Sequence, residues 1–264
     1  MRTVLFTGAT GSIGGAAARQ CLAGGDQLIC VARDPAKAQS LAKAGAEIHI
    51  ADLADPKALR ALTESLASDP PDAAVLAAGT YFLRERRVVR YEGAETEKEI
   101  HLAVNAVAPL RLAEALARSG VARIVFVSSI AARWVRCRGT DVASLGKTKR
   151  YAMTKRALEA GMQELARRYP ATVFVRVHPG VSATGLFTQP GSAFPRFLLP
   201  AMRCLFPSPA HAARGIALAL TADETVRAVH PRFFIGGKPV PCRCVDSSDA
   251  LPLVSDVLGP APET

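Results

Sequence analysis

Short apolar runs alternate with amphipathic helical stretches along most of the chain. The runs have few polar interruptions, which is typical of strands buried on both faces of a sheet. The predicted strands lie near residues 4–6, 28–31, 48–50, 74–76, 124–127, 173–177 and 233–235. The predicted helices lie near residues 12–24, 35–44, 56–67, 95–118, 151–168 and 209–221. This alternation predicts an α/β fold with a doubly wound parallel sheet of about seven strands, flanked by helices.

We predict a single domain over residues 1–264, because this length suits one α/β domain and no repeat or linker interrupts it. Three segments do not follow the alternation: residues 80–94, 130–150 and 178–207. Each follows a predicted strand, and ligands of open α/β sheets bind at the carboxyl ends of the strands. We therefore expect these insertions to surround one site.

A glycine-rich segment follows the first strand directly and opens the first helix. It reads T-G-A-T-G-S-I-G over residues 7–14. Glycines there permit a tight turn, backbone approach to a pyrophosphate and close packing of helix on strand. The amino end of the helix then faces the phosphates. We predict a Rossmann dinucleotide site formed by Gly8, Thr10, Gly11, Ser12, Ile13 and Gly14.

The end of the second strand bears on the choice of dinucleotide. Enzymes that use NAD usually place a carboxylate here, whereas Ala32 supplies none and Arg33 could pair with a 2′-phosphate. Asp34 is the competing interpretation, but Asp34–Pro35 is typical of a helix cap. We therefore predict NADP(H). Asp52 could contact the adenine, or be a plain loop aspartate. The remaining cofactor candidates at these strand ends are Leu53, Ala78 and Gly79.

Tyr151 and Lys155 are four residues apart in a predicted helix, so both side chains lie on one face. A tyrosine with a pKa of about 10 is a poor acid–base group at neutral pH. A neighbouring ammonium group favours the phenolate, so we expect Lys155 to lower the pKa of Tyr151. The pair follows both the dinucleotide loop and a strand that ends at Ser128 and Ser129. This order favours an acid–base site over a chance pair on a helix surface.

On these motifs the chain resembles the short-chain dehydrogenase/reductase family over nearly its whole length. The resemblance implies that Tyr151 exchanges a proton with a carbonyl oxygen. It implies that Lys155 lowers the pKa of that tyrosine and holds the nicotinamide ribose. Ser129 matches the serine that hydrogen-bonds the substrate oxygen, with Ser128 as the neighbouring candidate. Asn105 matches the asparagine of the family's proton relay.

The residues around Asn105 suggest a reason for such a relay. Pro109 has no N–H to donate to the carbonyl of Asn105, which is left free to hold a water leading to Lys155. A simple proline kink is the alternative.

The turn after the sixth strand also resembles the family. The resemblance implies that Thr184 meets the nicotinamide carboxamide and that Val181 packs near the ring. Pro179 and Gly180 form the turn itself and are further cofactor candidates. We expect His178 to be a residue of the strand end and not a base.

Some features depart from the family's short branch. The spacing T-G-x-x-G-x-x-G is that of the extended branch, which often acts on nucleotide sugars. The fourth strand ends in L-A-A-G at residues 76–79, where the short branch usually has asparagine, and the gap from Ser129 to Tyr151 is long. The chain length and the turn at Pro179 resemble the short branch. The resemblance to either branch therefore does not identify the substrate.

The chain is basic, with 33 lysines and arginines against 23 acidic residues and a net charge of +10. A nucleic-acid reader would need a basic stripe with a matching motif, and we find none. We therefore expect no nucleic-acid partner and favour anionic small molecules. The basic residues of two insertions are Arg84, Arg86, Arg87, Arg90, Arg133, Arg136, Arg138, Lys147, Lys149 and Arg150. These side chains either face solvent or bind the substrate. In the second case the substrate is itself anionic or is attached to a phosphorylated carrier group.

Other features bear on the setting of the protein. The apolar stretch 194–206 could be a lid, a surface between copies of the chain in a homo-oligomer, or a lipid-facing patch. The six cysteines show no C-x-x-C spacing, and the C-x-C at Cys242 and Cys244 is interpreted as structural. We expect no metal, a reducing compartment and a cytoplasmic protein. The apolar runs are shorter than the ~20 residues of a membrane span, and no signal peptide is expected.

These observations favour an NADPH-dependent oxidoreductase that interconverts a carbonyl and an alcohol by hydride transfer. A sugar epimerase or dehydratase using Tyr151 and Lys155 is the first alternative, and the lack of a larger substrate domain counts against it. A regulator that senses NADP without turnover is the second alternative. The joint presence of Tyr151, Lys155, Ser129 and Asn105 counts against that one.

Overall fold

A computed structural model describes residues 1–81, 87–137, 139, 141–179, 208–221, 232–235, 238–240 and 246–259. The strands in chain order are β1 (Thr3–Thr7), β2 (Gln27–Ala32), β3 (Glu47–Ile50), β4 (Ala73–Leu76), β5 (Val88–Val89), β6 (Lys98–Glu99), β7 (Arg123–Val127), β8 (Val173–His178), β9 (Arg232–Ile235) and β10 (Lys238–Val240). The helices are α1 (Ser12–Ala23), α2 (Pro35–Lys43), α3 (Pro56–Ser68), α4 (Ile100–Leu102), α5 (Ala108–Arg118), α6 (Lys147–Arg168) and α7 (Pro209–Thr221).

The central sheet has eight strands among the described residues, in the order β10-β9-β8-β7-β4-β1-β2-β3. Seven of these strands are parallel, which confirms the predicted sheet. β10 adds an antiparallel edge that the sequence analysis missed. That strand contains Pro239, a residue tolerated in sheets mainly at an edge, so its sequence gave little sign of a strand.

β1 lies at the point where the strand order reverses, with β2 on one side and β4 on the other. Its central residues are fully buried, with Leu5 on one face and Val4 and Phe6 on the other. α1, α2 and α7 contribute to the core on one face, and α3, α5 and α6 contribute to the core on the other. This is the doubly wound arrangement, in which ligands bind beyond the carboxyl ends of strands at the reversal.

Two aspartates fix the starts of helices on the outer part of the sheet. Asp34 accepts a hydrogen bond from Ala36 N at 3.0 Å, and Asp55 accepts one from Lys57 N at 2.9 Å. Each is followed by a proline in the first turn of its helix, where the missing N–H costs nothing. The cap interpretation of Asp34 is confirmed.

Two helices begin at residues other than those predicted. The helix expected from residue 95 begins at Ile100, because β6 first pairs with β5 as a two-stranded antiparallel sheet. Glu99 then caps α4 by accepting from the amides of His101 and Leu102. α6 begins at Lys147 and not near residue 151, directly after Gly146. Tyr151 therefore lies in its second turn.

The stretch Ile100–Arg118 is long and apolar enough to pass a test for a membrane span. However, 83% of its most apolar part is buried inside the protein. Its middle residues, Ala103–Val107, form a π-helical turn between α4 and α5. Pro109 stands just after this turn, so the helix loses its regular hydrogen bonding where the sequence predicts a free carbonyl.

Residues 246–259 form a segment that the sequence analysis did not predict, with two short 3₁₀ helices at Ser248–Leu253 and Ser255–Val257. Asp249 accepts from Arg156 Nε of α6 at 2.8 Å, and Asp256 accepts from Lys98 Nζ at 2.6 Å. These contacts hold the segment against α6 and the start of α4.

Candidate active site

The glycine loop between β1 and α1 is packed so closely that side chains are excluded at two positions. Gly8 has a φ of +73°, and a Cβ there would lie 2.6 Å from Ala78 N. A Cβ at Gly14 would lie 2.4 Å from the carbonyl oxygen of Gly8. Thr7 Oγ1 accepts from Ala78 N at 3.2 Å and so fixes the approach of β1 to β4. The loop therefore packs backbone against backbone, as a dinucleotide turn requires.

The outer side of this loop is open. Thr10, Gly11 and Ser12 are exposed, and Ile13 is half-buried. Gly11 is the cap residue of α1 and supplies no side-chain hydrogen bond to it. The first amides of α1 therefore lie at an accessible rim without a capping side chain, which fits a pyrophosphate.

The predicted adenosine end lies beyond β2 and β3. Arg33 is exposed and makes no ion pair with any residue that the structure describes. Asp52 accepts from Ala54 N at 3.0 Å and stands 3.9 Å from the guanidinium of Arg87. Leu53 is half-buried and packs against the core. Arg33 is thus available for an anion, whereas Asp52 already has partners in the protein.

Tyr151 lies in α6 opposite the end of β7, and its phenol is hydrogen-bonded to Ser129. Its ring is mostly buried and stands 5.2 Å from the ring of Tyr81, between centroids. Burial raises the pKa of Tyr151 to about 12, against the lowering effect of the bond from Ser129. The expectation of a lowered pKa is therefore wrong for the protein by itself, because desolvation outweighs the neighbouring polar groups.

Lys155 is buried, and its Nζ donates to the carbonyl oxygen of Val127 at 2.9 Å, at the end of β7. Burial lowers the pKa of the ammonium to about 8, while Glu159 acts in the opposite direction. A Cβ at Gly79 would lie 3.5 Å from Lys155 Nζ and 3.3 Å from Asn105 Oδ1. Gly79, after the end of β4, therefore lies close to both groups, and a side chain there would crowd Asn105.

Asn105 lies in the π-helical turn, and both the oxygen and the nitrogen of its side-chain amide form hydrogen bonds. Its Oδ1 accepts from Thr80 N at 2.7 Å, and its Nδ2 donates to Thr80 O at 2.8 Å and to Thr154 Oγ1 at 3.0 Å. Thr154 in turn donates to Tyr151 O at 2.8 Å. Asn105 thus joins the loop after β4 to the helix that carries Tyr151. A water held by its backbone carbonyl stays a prediction.

The structure separates the two serines at the end of β7. Ser129 contacts the phenol, whereas Ser128 Oγ is buried and donates to Glu159 Oε1 at 2.6 Å. The sequence analysis did not single out Glu159, although its spacing of four from Lys155 was a usable signal. It also missed Tyr81, for which the only signal was its position just after a strand end.

The turn after β8 lies partly outside the described residues. His178 ends the strand, as expected, and its pKa is lowered to about 4 by burial, with Arg133 and Arg176 adding to the effect. It is therefore neutral at pH 7. Pro179 is buried. Gly180, Val181 and Thr184 lie outside the described residues, as do the apolar stretch 194–206, Cys242 and Cys244.

The basic residues of the insertions fall into different classes. Arg150 is buried and donates to the carbonyls of Ala143 and Leu145. Arg87 stands near Asp52, and Arg90 is 3.6 Å from Glu97. Arg136 is exposed. The remaining exposed basic residues are Arg133, Lys147 and Lys149, while Arg84, Arg86 and Arg138 lie outside the described residues.

Arg90, Glu92 and Gly93 of the first insertion border a cleft of about 710 Å³ between α3, α5 and residues 256–259. Arg60 of this cleft pairs with Glu92, and Glu114 accepts from Gly259 N at 2.9 Å. These two acidic groups of the cleft therefore already have partners within the protein. Of the first insertion, Thr80 contacts Asn105 and Tyr81 contacts Tyr151, while Arg87 stands near Asp52.

The chain is similar to proteins of a known family and to solved structures. A model of the NAD dependent epimerase/dehydratase family matches residues 4–204. A candidate daunorubicin C-13 ketoreductase, DnrU, of Streptomyces sp. strain C5 is 32% identical over 193 residues. The match spans 68% of this chain and 65% of that relative, which is less than two thirds of its length.

Solved structures show the same fold. A short-chain dehydrogenase from Streptomyces avermitilis is 24% identical, with a TM-score of 0.63 over 95% of this chain and 90% of that one. A short-chain dehydrogenase from Sphingobium yanoikuyae, solved in complex with NADPH, is 22% identical, with a TM-score of 0.63 over 89% of this chain and 87% of that one. The resemblance inferred from the sequence motifs is confirmed.

Proposed function

Because the chain belongs to the NAD-dependent epimerase/dehydratase family, which shares the short-chain dehydrogenase/reductase fold, we propose that it is an NADPH-dependent carbonyl reductase. The observation that carries the proposal is the group of Ser129, Tyr151 and Lys155 at the end of β7, beside the glycine loop. A hydroxyl, a phenol and a buried ammonium group placed together suit the transfer of a proton to a carbonyl oxygen.

The residues present fit a dinucleotide. In the proposed complex, the loop from Gly8 to Gly14 holds the pyrophosphate, Arg33 the 2′-phosphate and Lys155 the nicotinamide ribose. The other residues proposed to contact it are Asp52, Leu53, Ala78, Gly79, Asn105, Tyr151, Pro179, Gly180, Val181 and Thr184. NADPH, when bound, supplies a hydride. The Sphingobium structure with NADPH supports this choice of cofactor.

At neutral pH, Tyr151 of the protein by itself is in the protonation state of a proton donor. A phenol with a pKa of about 12 carries its proton at neutral pH and can donate it. Ser129 binds that phenol, so both groups can approach one substrate oxygen. Lys155, with a pKa of about 8, is mainly cationic at pH 7 and stabilises negative charge that develops nearby. We infer that Tyr151 is the proton donor when a ketone is reduced.

An epimerase or dehydratase remains the second candidate, because the matching family carries that description. The two activities differ in their use of cofactor. A reductase consumes NADPH in proportion to the alcohol formed, whereas an epimerase regenerates its cofactor in every cycle. Loss of NADPH absorbance with a panel of aromatic and aliphatic ketones tests the proposal. Conversion of substrate without any net change in NADPH would contradict it.

The cofactor preference gives a first prediction. NADPH should bind at least about tenfold more tightly than NADH, because one charge-assisted hydrogen bond to a phosphate contributes roughly 1.5–3 kcal/mol. Arg33→Ala should remove most of this preference by weakening NADPH alone. Fluorescence titration of both dinucleotides measures the ratio, with Lys37→Ala as a control on the same surface. Equal dissociation constants in the unchanged protein would overturn the assignment of Arg33.

A second prediction concerns substrate charge. If Arg136 and Arg138 attract an anionic substrate, Arg136→Gln with Arg138→Gln should lower kcat/KM for an anionic ketone selectively over a neutral ketone of similar shape. The loss should shrink with added salt, because the Debye length falls from about 10 Å at 0.1 M to about 3 Å at 1 M. Equal effects on both ketones, or none, would mean that these residues are only solvated.

A further inference from the structure

Glu159 lies on α6 one helical turn after Lys155, so Tyr151, Lys155 and Glu159 form a row with a spacing of four on one helix. Its side chain is 3% exposed. An ionised carboxylate at this depth is costly unless it is paired with an opposite charge and hydrogen-bonded. The structure supplies both kinds of partner.

Two neighbouring strands hold the carboxylate. Ser128 Oγ, at the end of β7, donates to Oε1 at 2.6 Å, and Arg176 of β8 pairs with Oε2. Arg176 is itself 1% exposed, so its charge is as deeply buried as that of Glu159. Because each oxygen has its own partner on a strand, the carboxylate has a fixed orientation behind Lys155.

Few charged or titratable groups face this row from the surrounding elements. From the sheet, β7 offers Ser128 and the carbonyl of Val127, and β8 offers Arg176. Beyond Arg176 stand His178, which is neutral at pH 7, and Arg133. A Cβ at Gly79 would lie within 3.5 Å of both Lys155 Nζ and Asn105 Oδ1, so the uncharged amide of the π-helical turn stands near Lys155. Tyr81 faces Tyr151 from the loop after β4. Among these described groups, Glu159 is the one anion.

We propose that Glu159 is a positioning residue of the active site: its fixed carboxylate is the counter-charge that keeps the buried Lys155 protonated at the end of β7. The inference rests on the proposed function for its catalytic meaning, since Lys155 matters there as a cation. It also makes a claim about the protein alone. Burial lowers the pKa of Lys155 to about 8 and Glu159 opposes this effect, so without Glu159 the ammonium should lose its proton at a lower pH.

The first test is the titration of Lys155 itself, followed by NMR of the Cε carbon in protein labelled with ¹³C-lysine. The signal is assigned with Lys155→Met. Glu159→Gln keeps an oxygen that can accept from Ser128 but removes the charge, and the midpoint should fall by about one pH unit or more. Glu164→Gln is the matched control, because Glu164 is on the same helix and is paired with Arg168. An unchanged midpoint in Glu159→Gln would overturn the proposal.

Glu159→Gln leaves Arg176 buried without its counter-charge, which is strongly destabilising in general. If that variant does not fold, Glu159→Gln with Arg176→Gln removes both charges. The Lys155 midpoint of this double variant should also lie below that of the unchanged protein. A midpoint equal to or above that of the unchanged protein would contradict the role of Glu159.

The second test is the pH profile of ketone reduction. Lys155 is cationic below its pKa, so a lower pKa confines the active form to more acidic solution. The ratio of kcat/KM for Glu159→Gln to that of the unchanged enzyme should therefore fall as the pH rises from about 6 to about 8. A merely structural role would lower the ratio equally at every pH. If the unchanged protein reduces no ketone, the proposed function fails, while the NMR titration still decides the role of Glu159.

Discussion

Tyr151→Phe is expected to lower the turnover of ketone reduction by about 10²–10⁴, the usual contribution of a positioned proton donor. The phenol carries its proton at neutral pH and is bound to Ser129, so its loss removes the donor and leaves the fold intact. NADPH binding should change little, because the glycine loop and Lys155 remain. Stopped-flow measurement of NADPH oxidation gives the turnover, and fluorescence titration gives the dissociation constant.

Tyr81→Phe is the matched control for that substitution. The ring of Tyr81 lies next to that of Tyr151 at an angle of 58°, and its hydroxyl is 2.9 Å from Thr148 Oγ1, so the same atom is removed from a neighbouring ring. We expect it to reduce turnover far less than Tyr151→Phe. Unchanged turnover in Tyr151→Phe on a substrate that the enzyme reduces well would show that another group donates the proton.

Gly8→Ala is expected to destabilise the protein by at least about 2 kcal/mol and to abolish NADPH binding. The new Cβ would lie 2.6 Å from Ala78 N, an atom of the neighbouring strand end that cannot move independently. The positive φ of +73° adds the cost of a left-handed alanine. Urea denaturation measures the free energy of unfolding, and titration with NADPH measures binding.

Gly25→Ala separates these two costs. Gly25 has a φ of +87°, but no described atom beyond its immediate chain neighbours lies within 4 Å of its would-be Cβ. It should therefore show only the backbone cost of roughly 1–2 kcal/mol and leave NADPH binding unchanged. If Gly8→Ala and Gly25→Ala behave alike in both measurements, the close approach of β1 to β4 does not matter for the site.

Local patterns in the sequence predicted much of the candidate site. The glycine loop depends on residues 7–14, and the placement of Tyr151 and Lys155 on one face depends only on a spacing of four. The cap at Asp34 was likewise recognised from its neighbour Pro35 and is present in the structure. Each of these features is set by the backbone conformation of a few consecutive residues, which a sequence displays directly.

Contacts between distant residues could not be predicted in this way. Arg156 and Asp249 are separated by 93 positions in the chain, and Asp256 meets Lys98 across 158 positions. Neither pair has a spacing that marks it, because the sequence alone allows any arginine or lysine to meet any aspartate. The segment 246–259 was missed for this reason, since its role is defined by what it packs against.

The sequence by itself determined the alternation of the seven parallel strands with the main helices, the position of the dinucleotide loop and the spacing of Tyr151 and Lys155. Hydrophobic periodicity, glycine conformation and helix geometry are local properties, so they can be recognised without knowledge of the fold. Only the tertiary structure decided that Ser129 and not Ser128 meets the phenol, and that Glu159 and Arg176 stand behind Lys155. It also decided that the pKa of Tyr151 is raised and not lowered, because burial depends on how every neighbouring element packs around the ring.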